Sequence, residues 1–88
     1  MKATQLLQRE WIGTAVHVHR AANPAQEGRN GTIIDETKHT FVLRTSNGVK
    51  RMHKRGLHLA ASIDGQRVLI DATLLERRPH ERVKRKKH

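Results

Sequence analysis

From Thr14 to Ile70 apolar residues fall in short runs, several of them alternating at every second position, and each run is cut off by residues that turn a backbone. A period of two is that of a half-buried strand, whose side chains alternate between core and solvent. Val16 and Val18 alternate with His17 and His19, and Gly31 to Asp35, Thr40 to Arg44, Val49 to His53, Leu57 to Ala61 and Arg67 to Ile70 follow. Between them lie Ala21 to Asn30 with its Asn23-Pro24 and Gly28, then Glu36 to His39, Asn47-Gly48 and Asp64-Gly65, all rich in turn formers. Asn47-Gly48 is the strongest hairpin signal, because both residues accept the positive φ of a type I′ turn. Six short strands joined by tight turns predict an all-β domain in which one antiparallel sheet closes into a small barrel, since closure removes exposed edges.

The two ends read differently. Residues 3 to 11 suit one short helix, with Thr4 as its N-cap and Leu7 stacked on Trp11 four positions later. Isolated helices need about 12 to 15 residues to hold in water, so the apolar side of this one, Leu6, Leu7, Trp11 and Ile12, must dock on the domain or on another protein. Asp71 to Leu75 suits a short turn, and Pro79 suits the first position of a final helix. Arg82, Lys84, Arg85, Lys86 and Lys87 then crowd together and repel until a counter-charge arrives. The expected organisation is an N-terminal helix or extension over 1–12, a barrel over 13–72 and a basic C-terminal helix and tail over 73–88.

Charge indicates what such a barrel meets. Eighteen Lys and Arg against 8 Asp and Glu give +10 before any of the 7 His is counted, and a polyanion is the partner this predicts. Setting aside residues 76–88, with 7 basic and 2 acidic groups, still leaves +5. Lys38 to Arg55 holds Lys38, Arg44, Lys50, Arg51, Lys54 and Arg55 and no acid. Lys50-Arg51 and Lys54-Arg55 flank Met52-His53 after the Asn47-Gly48 turn, so several are expected to project together from one sheet edge or loop as a phosphate-binding cluster. Arg77, Arg78, Arg82, Lys84 and Arg85 form a second cluster. Trp11 and Phe41 are the chain's aromatic residues, too few for a platform on which successive bases stack. The shape and backbone of folded RNA are therefore the expected target, and Phe41, which alternates with Leu43, belongs to the core.

At 88 residues the chain makes one domain that buries about 60 to 65% of its unfolded surface. Only 35% of residues are hydrophobic and there is no Cys, so neither disulfides nor thiolate-metal sites supplement a thin core, and a partner is expected to add stability. No apolar stretch reaches the ~18 residues of a membrane span, and Met1 to Gln5 lacks the apolar region of a signal peptide, so a cytoplasmic location is expected. Catalysis by the chain alone is not. His17 and His19 share one strand face without a Cys or carboxylate at ligand spacing; exposure to solvent or RNA is the expectation for both. Asp35 and Glu36, being adjacent on a strand, point to opposite faces and suit turn-forming or hydrogen-bonding roles better than a two-carboxylate metal site. Neither G-x-x-x-x-G-K-[ST] nor G-x-G-x-x-G occurs. No catalytic or metal-ligating residue and no cofactor bound by this chain is expected.

Four segments carry a family resemblance: Trp11-Ile12-Gly13; Asn23-Pro24 through Gly28 and Gly31 into Asp35-Glu36-Thr37; Lys50-Arg51 to Lys54-Arg55-Gly56; and Arg78-Pro79 with Glu81-Arg82 and Lys84-Arg85. In this order and spacing the chain resembles the archaeal ribonuclease P protein component 1 family. The resemblance implies a six-stranded Sm-like, or SH3-like, barrel with helical ends. It also implies assembly with a catalytic RNA, a zinc-binding protein subunit and other small subunits into a holoenzyme that removes the 5′ leader of precursor tRNA. In that holoenzyme the magnesium is held by the RNA and the zinc by the partner subunit, with Leu6, Leu7, Trp11 and Ile12 as candidates for the protein contact. Glu27 stands where an aliphatic residue is common in that loop, and His80 replaces an acidic residue after Pro79. A ribosomal protein with an SH3-like barrel that binds rRNA would share charge, size and fold, and the motif string is what separates the two readings.

Overall fold

The computed structural model of the protein describes residues 8–77. Strands form where the alternation predicts them: β1 (Ala15–Arg20), β2 (Asn30–Glu36), β3 (Thr40–Thr45), β4 (Gly48–His53), β5 (His58–Ile63) and β6 (Gln66–Asp71). Neighbours are antiparallel, in the order β4-β3-β2-β1-β5-β6. One face of the alternation supplies the core: Val16, Val18, Ile33, Phe41, Leu43, Met52, Leu59, Ala61, Ile63 and Ile70 are buried, and Trp11, Leu57, Ala72 and Leu75 close its ends.

Irregularities in register between Val18 and Arg20 on β1 and between Ile33 and Asp35 on β2 bend the sheet in the way that extra residues in one strand do. At Gly31 the strands approach so closely that a Cβ would lie 2.7 Å from the Arg44 carbonyl oxygen, so the β2–β3 spacing there depends on the glycine.

The expected closure does not occur. β4 and β6 end the ladder without pairing to each other, so the barrel is open along that seam. The physical reason is the route of the chain, which crosses from the β4 edge to β5 at this place. Residues Lys54 to Leu57 and a 3-10 helix after β6, Ala72–Arg77, occupy the gap. Ala72 N donates to Leu57 O at 2.7 Å, and Gly56 N donates to Thr73 Oγ1 at 3.0 Å. Turn backbone thus provides hydrogen bonds that a closed ladder would otherwise make.

The two hairpins turn differently. Asp64 (φ 52°) and Gly65 (φ 78°) both have positive φ between the paired Ile63 and Gln66, as a type I′ turn requires. For β3–β4 the expected Asn47-Gly48 centre is displaced by one residue: Thr45 pairs with Gly48, Ser46 and Asn47 form the loop, and Gly48 alone of these takes positive φ, 104°. The Thr45 hydroxyl decides this, accepting from Asn47 N at 3.1 Å and donating to Gly48 O at 2.8 Å.

The helix expected over residues 3 to 11 lies mostly outside the described residues, as does the final helix expected from Pro79. Trp11, expected to dock on the domain or on another protein, takes the first course: it is fully buried, its ring centroid 6.3 Å from that of Phe41. A large indole gains most by burial in a thin core, and this one is not available to a partner. The short turn expected at Asp71 to Leu75 is the 3-10 helix, with Ala72 and Leu75 buried. Among the described residues no helix is long and apolar enough to cross a membrane.

Candidate nucleic-acid interface

The β3–β4 register sets Val42 opposite Arg51 and Arg44 opposite Val49. Arg44 and Arg51 therefore share the outer face as diagonal neighbours, and both are exposed. Such diagonals lie about 7 to 8 Å apart, close enough for two guanidinium groups to address one stretch of phosphate backbone. Lys50, next to Arg51, points to the other face opposite Leu43 and is half-buried. Lys38 and His39 stand exposed at the tip of the β2–β3 turn, which Thr37 and Thr40 hold through hydroxyl groups 2.6 Å apart. Arg55 follows β4 with its side chain 82% exposed.

Lys54 does not join them. Its side chain is fully buried, its ammonium donates to Glu36 Oε2 at 2.7 Å, and it lies 4.9 Å from the centroid of the Phe41 ring. β4 has ended at His53, and Lys54 N donates to His39 O at 2.8 Å, which turns the side chain inward. A phosphate has no access to it, so Lys54 is removed from the expected RNA-contact set. Glu36 is likewise a hydrogen-bonding residue of the interior. Asp35 points elsewhere, and its Oδ1 accepts from Glu36 N at 2.8 Å.

Two adjoining cavities follow the free edge of β4. One, about 210 Å³, lies between Ala21, Ala22, Asn23 and Gln26 of the β1–β2 loop and Arg51, Met52 and His53. The other, about 430 Å³, is lined by Ala22, His39, His53, Arg55 and Glu76. The loop wall is built locally: Asn23 Oδ1 accepts from Ala25 N at 3.0 Å to cap the 3-10 turn Pro24–Gln26, and the Glu27 carboxylate accepts from Ala21 N at 3.2 Å. Glu27 therefore ties the loop closed by a polar contact. His39, His53 and Glu76 were not singled out by the sequence. His53 is two residues from Arg51 and so on the same face, a signal available in the alternation; Glu76 gave none, since the 3-10 helix carries it in from β6.

Glu76 lies between an imidazole and a guanidinium. Its carboxylate is 2.9 Å from His39 Nδ1 and 3.8 Å from Arg55 Nη2. The hydrogen bond from His39, helped by the charges of Arg55, His39 and Lys54 and opposed by desolvation, holds its carboxyl below the ordinary value of 4.5. A lowered carboxyl pKa contributes stability that is complete above the ordinary value and lost as the pH falls through the lowered one. Glu76→Gln removes this contribution. On acidification from about pH 6 to about pH 3 its thermal midpoint is expected to fall less steeply than that of the parent chain, and parallel melting curves would contradict the assignment.

Elsewhere, His17 Nδ1 lies 2.8 Å from Asn30 Oδ1, and His19 is exposed. Among the described residues no three or more His, Cys, Asp or Glu side chains are grouped to hold a metal ion. Of the expected protein contact, Ile12 is partly buried against the core, while Leu6 and Leu7 lie outside the described residues, as do Arg78, Arg82, Lys84 and Arg85 of the second basic cluster. Arg77 ends the 3-10 helix.

Comparison with known proteins places this interface in context. Residues 4–85 match the profile of the family described as ribonuclease P/MRP, subunit p29. The chain is 39% identical over 90 residues to ribonuclease P protein component 1 of Thermofilum pendens, covering 98% of this chain and 96% of that protein. It is 33% identical over 85 residues to ribonuclease P protein component 1 of Archaeoglobus fulgidus, covering 97% of this chain and 83% of the other. The solved structure of Mth11, described as a homologue of the human RNase P protein Rpp29, superposes with a TM-score of 0.62 at 29% identity, over 84% of this chain and 97% of that one. With the fold, the motif order and the family profile in agreement over nearly its whole length, the chain belongs to the ribonuclease P/MRP p29 subunit family.

Proposed function

We propose that this chain is an RNA-binding protein subunit of a ribonuclease P ribonucleoprotein and supports the catalytic RNA in removing the 5′ leader from precursor tRNA. The observation that carries the reading is the family match over residues 4–85. The exposed Arg44, Arg51 and Arg55 on a body of net charge +10 supply the chemistry, since each cation that meets a phosphate releases a counterion and favours association. In this reading the protein screens repulsion between RNA helices so that the RNA folds at lower magnesium. The magnesium used in cleavage belongs to the RNA, and the chain works with a zinc-binding subunit and other small subunits. It acts in the cytoplasm and contributes no catalytic group of its own.

The test is cleavage of precursor tRNA by an archaeal ribonuclease P reconstituted with and without this chain at limiting magnesium. Addition of the chain is expected to raise the rate, and the purified chain free of RNA is expected to cleave nothing. An unchanged rate, with RNA and remaining subunits shown to be active, would overturn the proposal.

A further inference from the structure

The cavity beside Arg55 already contains an anion of the protein's own. Glu76 enters it from the 3-10 helix with its side chain only 14% exposed, whereas the imidazole and guanidinium it faces, those of His39 and Arg55, are 64% and 82% exposed. His53 lines the same space, Arg51 lines the adjoining one, and Lys54 lies behind the wall, paired with Glu36. Around Glu76 the groove is therefore walled by imidazoles and guanidinium groups from two separate elements, the β2–β3 turn and β4 with the residues that follow it, and Ala22 of the β1–β2 loop closes the opposite side. Imidazoles and guanidinium groups converging on an open cavity at a strand edge are the donors with which phosphates are recognised.

We propose that this groove is a subsite for one phosphate of an RNA backbone, contacted by His39, His53 and Arg55 with Arg51 beside it, and that Glu76 occupies the site as an internal stand-in which the phosphate displaces. The inference rests on the RNA-binding reading above and names the place and the competitor. A carboxylate satisfies the exposed imidazole and guanidinium while RNA is absent, so their N–H groups are not left open to every small anion. A phosphodiester replaces one monoanion by another, but it is held in addition by its neighbours in the strand, whose contacts at Arg44 and Arg51 lie outside the groove. Displacement then releases the end of the 3-10 helix from the β2–β3 turn. A purely anchoring role for Glu76 makes the opposite prediction, because losing an anchor weakens the surface that binds RNA.

The experiment uses the full chain, a fluorescently labelled RNA hairpin and, in a second arm, inorganic phosphate. Glu76→Gln keeps the shape of the side chain and removes its charge, and it is expected to bind the hairpin about threefold to fivefold more tightly, the range that a surface ion pair accounts for. In the unaltered chain the ring-proton resonances of His39 and His53 are expected to move on addition of the hairpin. With inorganic phosphate they are expected to move only at far higher concentration. Equal or weaker binding by a Glu76→Gln chain that is fully folded at the temperature of the binding assay would overturn the proposal. If that variant is partly unfolded there, the resonances of the unaltered chain decide: movement of both supports the subsite, and no movement overturns it. Hairpin binding with neither histidine responding removes the subsite but leaves the RNA-binding reading standing, whereas no binding by the unaltered chain removes both.

Discussion

Lys54→Ala is expected to lower the free energy of unfolding by about 3 to 5 kcal/mol, the cost typical of removing one partner from a buried ion pair. The effect is large because the ammonium and the Glu36 carboxylate are both almost wholly out of water, at 2.7 Å from each other. The substitution leaves a carboxylate in the interior without its cation and removes the alkyl stem that covers Phe41. Total stabilities of small domains are about 5 to 15 kcal/mol, so much of the chain is expected to be unfolded near its growth temperature. Guanidinium titration followed by the fluorescence of Trp11 reads this directly, since that indole is buried against Phe41. Replacing both partners by apolar residues of similar volume, Lys54→Met with Glu36→Leu, is expected to restore most of the loss, because such pairs are often neutral exchanges for packed hydrophobes. A single Lys54→Ala chain as stable as its parent would show that the pair carries little.

The largest effect on binding is expected from the exposed arginines. Replacing Arg44, Arg51 and Arg55 together by Ala should flatten the dependence of log affinity on log salt by about 2 to 3 and weaken hairpin binding roughly 100-fold near 0.1 M salt, as counterion release requires for three lost phosphate contacts. The fold should persist, since all three side chains are exposed. The Lys54→Met, Glu36→Leu chain is the discriminating companion. It removes a lysine from the same stretch of sequence, yet its salt slope should match that of the parent. The double exchange removes one positive and one negative charge and leaves the net charge as it was, so equal losses from both variants would mean that the integrity of the barrel, and not the placement of these arginines, governs binding. An unaltered slope in the triple variant would put the interface elsewhere.

The strands were legible because alternation at period two is enforced locally: a residue either faces the core or does not, and Val16, Val18, Phe41 and Leu43 declare which. Asp64-Gly65 formed the turn its residues favour. Asn47-Gly48 did not, because the hydroxyl of Thr45, just outside the expected pair, binds the loop and moves its centre. Barrel closure was also misjudged, as the gap between β4 and β6 depends on where the crossover runs, and no local pattern records that. Among the candidate RNA contacts, Arg44, Arg51 and Arg55 followed from charge density. Lys54 looked the same in the sequence as its neighbours. What distinguishes it is Glu36, 18 residues earlier, and a pairing across that distance is visible only once β2 and the end of β4 meet. Trp11 was ambiguous for a related reason: a large aromatic ring near an end serves a core as well as a contact, and only the space beside Phe41 decides between them.

The central position of β1 sets an order of events on the way to this structure. Val16 and Ala61 face each other across the β1–β5 ladder, so three intervening strands and the loops between them must be traversed before that pairing is made. The β3–β4 and β5–β6 hairpins each close a loop of only two residues, an event of about 1 to 10 µs, whereas the entropy of closing a long loop is spent before its contacts reward it. The middle of the sheet is therefore completed after its flanks, and the domain is expected to fold on the millisecond-to-second scale of non-local β topologies. Until then Val16, Val18 and Leu59 stand uncovered, and mutual repulsion among chains of net charge +10 keeps nascent copies apart.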